Sequence, residues 1–248
     1  MIGVRTLVVI LLFSATALAQ EQRVRFAIGE WPPYTTAANL PQNQVAQRVV
    51  KEAYESQGYQ IEFDYFPWSR AFKLASEGEY DGTFPWIKND ERSELFLYSE
   101  AIFTQTVVFF YHQDMAFSWK EIDDLKQYSI GGTQDYQSVF FLNQYGIDQT
   151  LSIDEQASFN KLLKRRIDAY PTGKIRGQYL LNNLLSDNEA SQIKFHSKPL
   201  FEDDMHILLP KHNTERSQLL IEVFAQGLAE LLTSGRYQEI MIDNNRID

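Results

Sequence analysis

The 248-residue sequence contains no cysteine. That absence excludes disulfides, thiolate metal sites, a cysteine nucleophile and a lipid-modified N-terminal cysteine. Histidine is scarce too. The four, His112, His196, His206 and His212, show no metal-ligand spacing such as HExxH, so solvated or core histidines are expected rather than a zinc site or any metal. Positive charge is in deficit, 23 Lys and Arg against 33 Asp and Glu. The resulting net charge of −10 repels a phosphate backbone and leaves no basic stripe, so no nucleic-acid partner is expected. Beyond the N-terminus no apolar stretch approaches the roughly 18 residues that a membrane span requires. Internal repeats, low-complexity tracts and Pro/Gly/Ser-rich linkers are absent as well.

What is present begins with a leader. Arg5, the apolar run Leu7 to Phe13 and the small-residue site Ala17, Leu18, Ala19 read as a secretory signal over residues 1–19. Cleavage would leave a mature chain starting at Gln20, one unit more negative for the loss of Arg5. We expect a soluble periplasmic monomer, neither lipid-tethered nor inserted in the membrane. With 44% apolar residues the chain can bury a substantial core, as one domain or as two lobes of about 100 residues each.

The patterning alternates between strand and helix. Val24, Phe26 and Ile28 share one face of an opening strand that breaks at Gly29 into the loop "EWPPY". Val45, Val49 and Ala53 recur at helical spacing until Gly58, after which Tyr59, Ile61, Phe63 and Tyr65 switch to a period of two. Ser69 is the expected cap of a helix running through Ala75, and "DGTFPWI" follows as a short strand. "TVVFFY" (106–111) is the strongest strand. "SWKE" (118–121) and "SIDE" (152–155) both fit the capping box that opens a helix. Strands near 129–133 and 166–170 alternate with helices near 135–145 and 154–165. A helix carrying Ile175, Tyr179, Leu180 and Leu184 follows, then strands at "QIKFHS" and "MHILLP" and a long helix from about Thr214 to Leu232. The class is α/β.

One segment, "GEYDGTFPWIKNDERSELFLYSEAIF" (78–103), combines a Gly and Asp turn, an acidic turn around Arg92 and a Ser-acidic-hydrophobic strand start. It resembles the extracellular solute-binding proteins of family 3, the periplasmic receptors of polar amino acid uptake systems. "WPPY", "SIGGTQDY", "RRIDAYPT" and "ILLPKHN" arrive in that family's order, so the resemblance spans nearly the whole mature chain. It implies a two-lobed periplasmic-binding-protein type II fold. Residues 20–108 and 207–248 would form the first lobe and 109–206 the second, with "TQTVVFF" and "DDMHILL" as hinge crossings. It further implies a non-catalytic receptor that closes on a small polar or anionic solute. Such a receptor needs no cofactor and delivers its ligand to an inner-membrane ABC-type permease.

By the same resemblance Arg92 holds the ligand's carboxylate, a task suited to its planar five-donor fork. The plain alternative is a surface arginine paired with Asp90, Glu91 or Glu94. Trp31 stands where the family stacks an aromatic on the ligand and Trp68 where a second wall is expected, with Tyr34 and Trp86 as further candidates. Trp31 and Trp68 could instead be core plugs. In "GTQDY", helix N-terminal amides near Tyr136 and Gln137 would face the ligand, making Gln134 and Tyr136 candidates; otherwise the segment is an ordinary helix capped by Asp135. Thr172 and Arg70 complete the set, Arg70 as a second cation for an anionic ligand or as a surface residue.

The sequence departs from the family at several places: Asp135 stands where a glycine is usual, and the spacing from Asp81 to Arg92 is one residue shorter than usual. Ile87 and Lys88 replace a hydroxyl expected before Arg92, and Gly173 stands where an acid would hold a ligand's ammonium. A free amino acid would need a substitute such as Glu30. Two other functions remain open: a sensory module that presents its liganded form to a membrane partner, and a dehydratase-like enzyme using Glu30 or Asp135 as general acid. No paired carboxylates, serine elbow or nucleophile–base set supports the enzyme.

Overall fold

The computed structural model describes residues 22–39 and 44–243. The leader read in residues 1–19 lies outside them. In chain order the elements are β1 (Arg23–Ile28), α1 (Val45–Ser56), β2 (Gln60–Tyr65), α2 (Trp68–Ser76), β3 (Thr83–Ile87), α3 (Asp90–Leu95) and β4 (Phe96–His112). A 3-10 turn (Ile122–Gln127), β5 (Ile130–Thr133), α4 (Gln137–Gln144), β6 (Gln149–Ser152), α5 (Glu155–Leu163) and β7 (Ala169–Gly173) follow. The chain continues through α6 (Lys174–Leu184), α7 (Asp187–Ala190), β8 (Ile193–Phe195), β9 (Phe201–Pro210), α8 (Thr214–Ser234) and α9 (Arg236–Asp243). The architecture is mixed α/β, as the alternating patterns require.

The chain divides into two compact units, one running to Phe103 and resuming at Asp204, the other Thr104–Asp203. Strands β4 and β9 each run through a division point, and they contain the segments "TQTVVFF" and "DDMHILL". In the first unit β1 pairs in parallel with β2, in register from Arg23↔Gln60 to Ile28↔Tyr65, and β3 pairs antiparallel with β9. Ala27 N–H donates to the Gly82 carbonyl at 3.1 Å, tying β1 to the start of β3. Phe26 is fully buried, edge-on to Phe84 at 5.3 Å and tilted against Tyr54 at 5.8 Å. Tyr54 in turn donates its hydroxyl to the Leu220 carbonyl of α8. Gly227 of α8 lets that helix lie directly on α1, because a Cβ there would sit 1.9 Å from the Ala53 carbonyl oxygen.

In the second unit β4 pairs antiparallel with β7 and β8, and β7, β5 and β6 run parallel. The unbroken apolar run of β4 follows from burial on both faces. Val107 and Phe109 pack with Phe117, Trp119, Ile130 and Leu142, while Val108 and Phe110 pack with Phe159, Leu162, Tyr170 and Leu180. Burying each of these large side chains contributes on the order of 1.5–3 kcal/mol.

Helix starts differ from the sequence expectation at four places. Pro67, not Ser69, precedes α2, since proline lacks the N–H that a helix start leaves unused. At 118–121 no box forms around Ser118; the 3-10 turn begins later, and Asp124 accepts the amides of Lys120 and Glu121 at 2.8 and 2.9 Å. Ser152 belongs to β6, opposite Thr133 of β5, so the cap of α5 passes to Asp154, which accepts from Ala157 N–H at 2.7 Å. Asp135 adopts a left-handed φ of 64° and Tyr136 becomes the N-cap of α4. Strand β6 and the short helices α7 and α9 carried no sequence signal strong enough to predict them.

Candidate functional site

Arg92 is positioned by two local devices. Asn89 caps the short α3 by accepting the Arg92 N–H at 2.8 Å, which fixes the backbone. The guanidinium then turns back to donate to the Ile87 carbonyl at 2.8 Å and lies over the Trp86 ring, its carbon 4.8 Å from the centroid. Among the described residues it pairs with no carboxylate, neither Asp90, Glu91 nor Glu94. Burial pulls its pKa below the ordinary arginine value, against smaller opposing effects of Tyr98 and Glu91. The surface ion-pair alternative is thus not what the chain forms.

Trp86 continues the assembly. Its indole N–H donates to the Thr83 hydroxyl at 3.1 Å, and its ring stands edge-on to Trp68 at 5.2 Å and to Phe72 at 5.5 Å. Trp68 opens α2 and covers Gly29, where any Cβ would come within 2.4 Å of the indole. Trp68, with Glu30, Tyr65, Phe66 and Pro67, bounds a cavity of about 310 Å3. Arg70 is exposed and holds its guanidinium 5.1 Å from the Phe66 centroid. Glu30 accepts the Ala37 N–H at 2.8 Å. Tyr65 donates to the Thr36 carbonyl and accepts from Gln47, and its pKa is pushed up to about 12 by burial first, with the Glu30 charge adding and the Gln47 bond opposing.

Trp31 and Tyr34 form a second aromatic pair, 4.5 Å apart within a tight turn closed by Trp31–Thr35 backbone bonds. Their fates differ. Trp31 is partly exposed, whereas Tyr34 is 1% exposed and stacked on Phe103 at 4.5 Å. Tyr34 is therefore a core plug that backs Trp31 and offers no wall of its own.

In the second unit the candidates converge on a group the sequence did not single out. Glu155, at the start of α5, is 5% exposed and accepts from Arg176 of α6, Nε to Oε2 at 2.7 Å. Thr172, itself buried, donates to Glu155 at 3.3 Å. Tyr136 lies beside the same carboxylate; burial first, then the Glu155 charge, raises its pKa well above the ordinary tyrosine value. Tyr170 is shifted upward for the same two reasons and meets Thr133 at 2.7 Å. Thr172 and Tyr136 are thus parts of an internal polar network. Gln134 is exposed after β5, its N–H bonded to the Ser152 carbonyl at 3.0 Å. Gly173 has its side-chain space filled by Gln105, whose amide nitrogen lies 2.5 Å from where a Cβ would be. The pair Glu155 and Arg176 lies 21 positions apart on two helices, a spacing with no local signature.

Known proteins share this architecture. The ligand-binding core of GluR0 in complex with L-glutamate matches with a TM-score of 0.72 at 17% identity, covering 88% of this chain and 96% of that one. A periplasmic binding protein of an arginine third transport system from Legionella pneumophila matches at 0.70 and 15% identity, covering 90% and 99%. A histidine kinase sensor domain with similarity to periplasmic binding proteins matches at 0.68 and 18%, covering 90% and 96%. These likenesses establish the type II periplasmic-binding-protein fold. No curated protein sequence matches the chain. The family model described as bacterial extracellular solute-binding proteins, family 3, matches residues 29–243. The chain belongs to that family.

Proposed function

We propose that this protein is a periplasmic solute receptor that captures a small polar or anionic solute and delivers it to an ABC-type permease. Arg92 would take the solute's carboxylate, and Trp31, Trp68 and Trp86 would supply apolar walls. The observation that carries this reading is the state of Arg92. A guanidinium that is partly desolvated, seated on an indole and, among the described residues, unmatched by a carboxylate is a costly arrangement unless an anion completes it. Residues 20–108 and 207–248 would act as one lobe and 109–206 as the other, with bending at the two crossings. Export with removal of residues 1–19 places it in the periplasm.

A sensory role is the second reading, and the kinase sensor domain of the same fold favours it. Transport and sensing differ in the partner, so the identity of neighbouring genes, permease or kinase, separates them. The family and the structural neighbours are binding proteins, which supports a non-catalytic role.

The deciding experiment is thermal melting of the mature protein against amino acids, organic acids, short peptides and aromatic solutes, run in parallel on Arg92→Ala. A ligand that binds only the folded state raises the midpoint. An upward shift confined to one solute class and lost in Arg92→Ala supports the reading. Equal shifts in both proteins would place the ligand elsewhere and overturn the role given to Arg92.

A further inference from the structure

We propose that Thr83 is a positioning residue: its hydroxyl fixes the Trp86 indole, and the fixed indole presents one edge of the Arg92 guanidinium to an anion. The part this plays in solute capture rests on the receptor reading; the hold of Thr83 on Arg92 does not.

Arg92 needs such a device. Asn89 fixes its backbone, but a long rotatable side chain still separates that backbone from the guanidinium. The bond from Nη1 to the Ile87 carbonyl pins one nitrogen, about which the planar group can swing. A second restraint has to set the plane, and the face of Trp86, 4.8 Å from the guanidinium carbon, supplies it. With Nη1 committed, Nε and Nη2 are left as donors along one edge, and among the described residues neither bonds another group. Two N–H groups side by side match the two oxygens of a carboxylate.

Trp86 is only as fixed as its own contacts. Its ring packs against Ala75, Phe96 and Leu208, and Trp68 and Phe72 meet it edge-on at 5.2 and 5.5 Å. Apolar burial is non-directional and does not choose where the indole N–H points. The directional contact is the bond from Nε1 to the Thr83 hydroxyl at 3.1 Å. Residues three apart in a regular strand face opposite sides, so this meeting has to be built. An irregularity in the β3–β9 pairing falls between Thr83 and Trp86 and re-aims one side chain toward the other. Thr83 is a firm anchor, fully buried, in register with Leu208 of β9, and preceded by Gly82, whose carbonyl accepts the Ala27 N–H of β1.

The test reads Arg92 by proton NMR of the full mature protein without any ligand. Its Nε–H resonance, assigned by Arg92→Ala, should lie upfield of that of the exposed Arg166, because it is shielded by the face of the indole. Thr83→Val keeps the shape of the buried side chain and removes the acceptor, so it should return the Arg92 resonance most of the way to that of Arg166. Thr83→Ser keeps the hydroxyl and should leave it in place. The solute found by melting should bind Thr83→Val about three- to tenfold more weakly, the worth of one hydrogen bond, and Thr83→Ser as it binds the parent. The Trp86 indole N–H, assigned by Trp86→Phe, should exchange slowly with solvent in the parent. Exchange as fast as that of an exposed indole would overturn the proposal, and this measurement decides alone if the Trp31 resonance shows that Thr83→Val has not folded. An Arg92 resonance unmoved by Thr83→Val, or moved equally by Thr83→Ser, would overturn it too. If the resonance moves but the solute binds Thr83→Val and the parent alike, the positioning role falls and the receptor reading stands. If the resonance moves and no solute depends on Arg92, the receptor reading falls and the hold of Thr83 on Arg92 stands.

Discussion

Replacing Arg176 by leucine would strand a carboxylate inside the second unit. The Glu155 side chain is 6% exposed and that of Arg176 13%, and two guanidinium nitrogens address the same Glu155 oxygen. Removing one partner of a buried pair costs about 3–5 kcal/mol, because the remaining charge has neither water nor counterion. The Thr172 hydroxyl stays within reach of Glu155 and the Tyr136 phenol stays beside it, so the expected loss lies at the lower end, about 3 kcal/mol. The double change Glu155→Leu with Arg176→Leu should recover most of this, to within about 1 kcal/mol of the parent, since no charge is then left buried without its counterion and the Thr172 and Tyr136 hydroxyls are neutral. Urea unfolding of 5-fluorotryptophan-labelled protein, read by fluorine NMR, isolates the second unit through Trp119; the other three tryptophans belong to the first. A single-mutant loss below about 1 kcal/mol would show that water reaches the pair. A double mutant as unstable as the single would show that packing, not the stranded charge, sets the loss.

Arg92→Lys should bind the ligand about 10- to 100-fold more weakly than the parent, as a point charge cannot make two parallel bonds to a carboxylate; calorimetric titration with the solute found by melting checks this. The ligand-free melting midpoint of Arg92→Ala should fall only slightly, because the bond to the Ile87 carbonyl and the contact with Trp86 are lost but no carboxylate among the described residues loses a partner. Gly227→Ala should destabilise the first unit by about 1–3 kcal/mol, since its methyl group would meet the Ala53 carbonyl and force α1 and α8 apart, and urea midpoints report it. Asp64 is held below the ordinary carboxylate range mainly by the Tyr80 hydroxyl, with Arg25 adding to the effect. Its contribution is therefore complete above the unfolded carboxylate pKa and fades as pH falls through and below that range, so Asp64→Asn should flatten the acid limb of a stability–pH profile. A limb of unchanged slope would refute that.

The strands and long helices were legible because their patterns are local and strong. Alternation in β1 and β2, helical spacing in α1 and a run buried on both faces in β4 each determine one element with little help from the rest. Helix starts were harder. A hydroxyl at Ser69, Ser118 or Ser152 caps only if the backbone before it is free to turn, and at Ser152 the pairing with Thr133 removes that freedom. The site was legible in part. The acidic turn marked Arg92 as notable, and the structure added the stack on Trp86 and the lack of a carboxylate partner among the described residues.

By itself, then, the sequence determined the α/β class, the negative charge and the absence of any thiol chemistry, since these follow from composition and near-neighbour pattern, and the order of its motifs carried the resemblance to the family. Only tertiary structure decided that Tyr34 is core while Trp31 keeps an exposed face, and that Glu155 is matched by Arg176. It alone joined Glu30 to a cavity walled by Trp68. The physical reason is the same in each case. Burial and charge pairing depend on which residues distant in the chain meet, and no local spacing records those meetings.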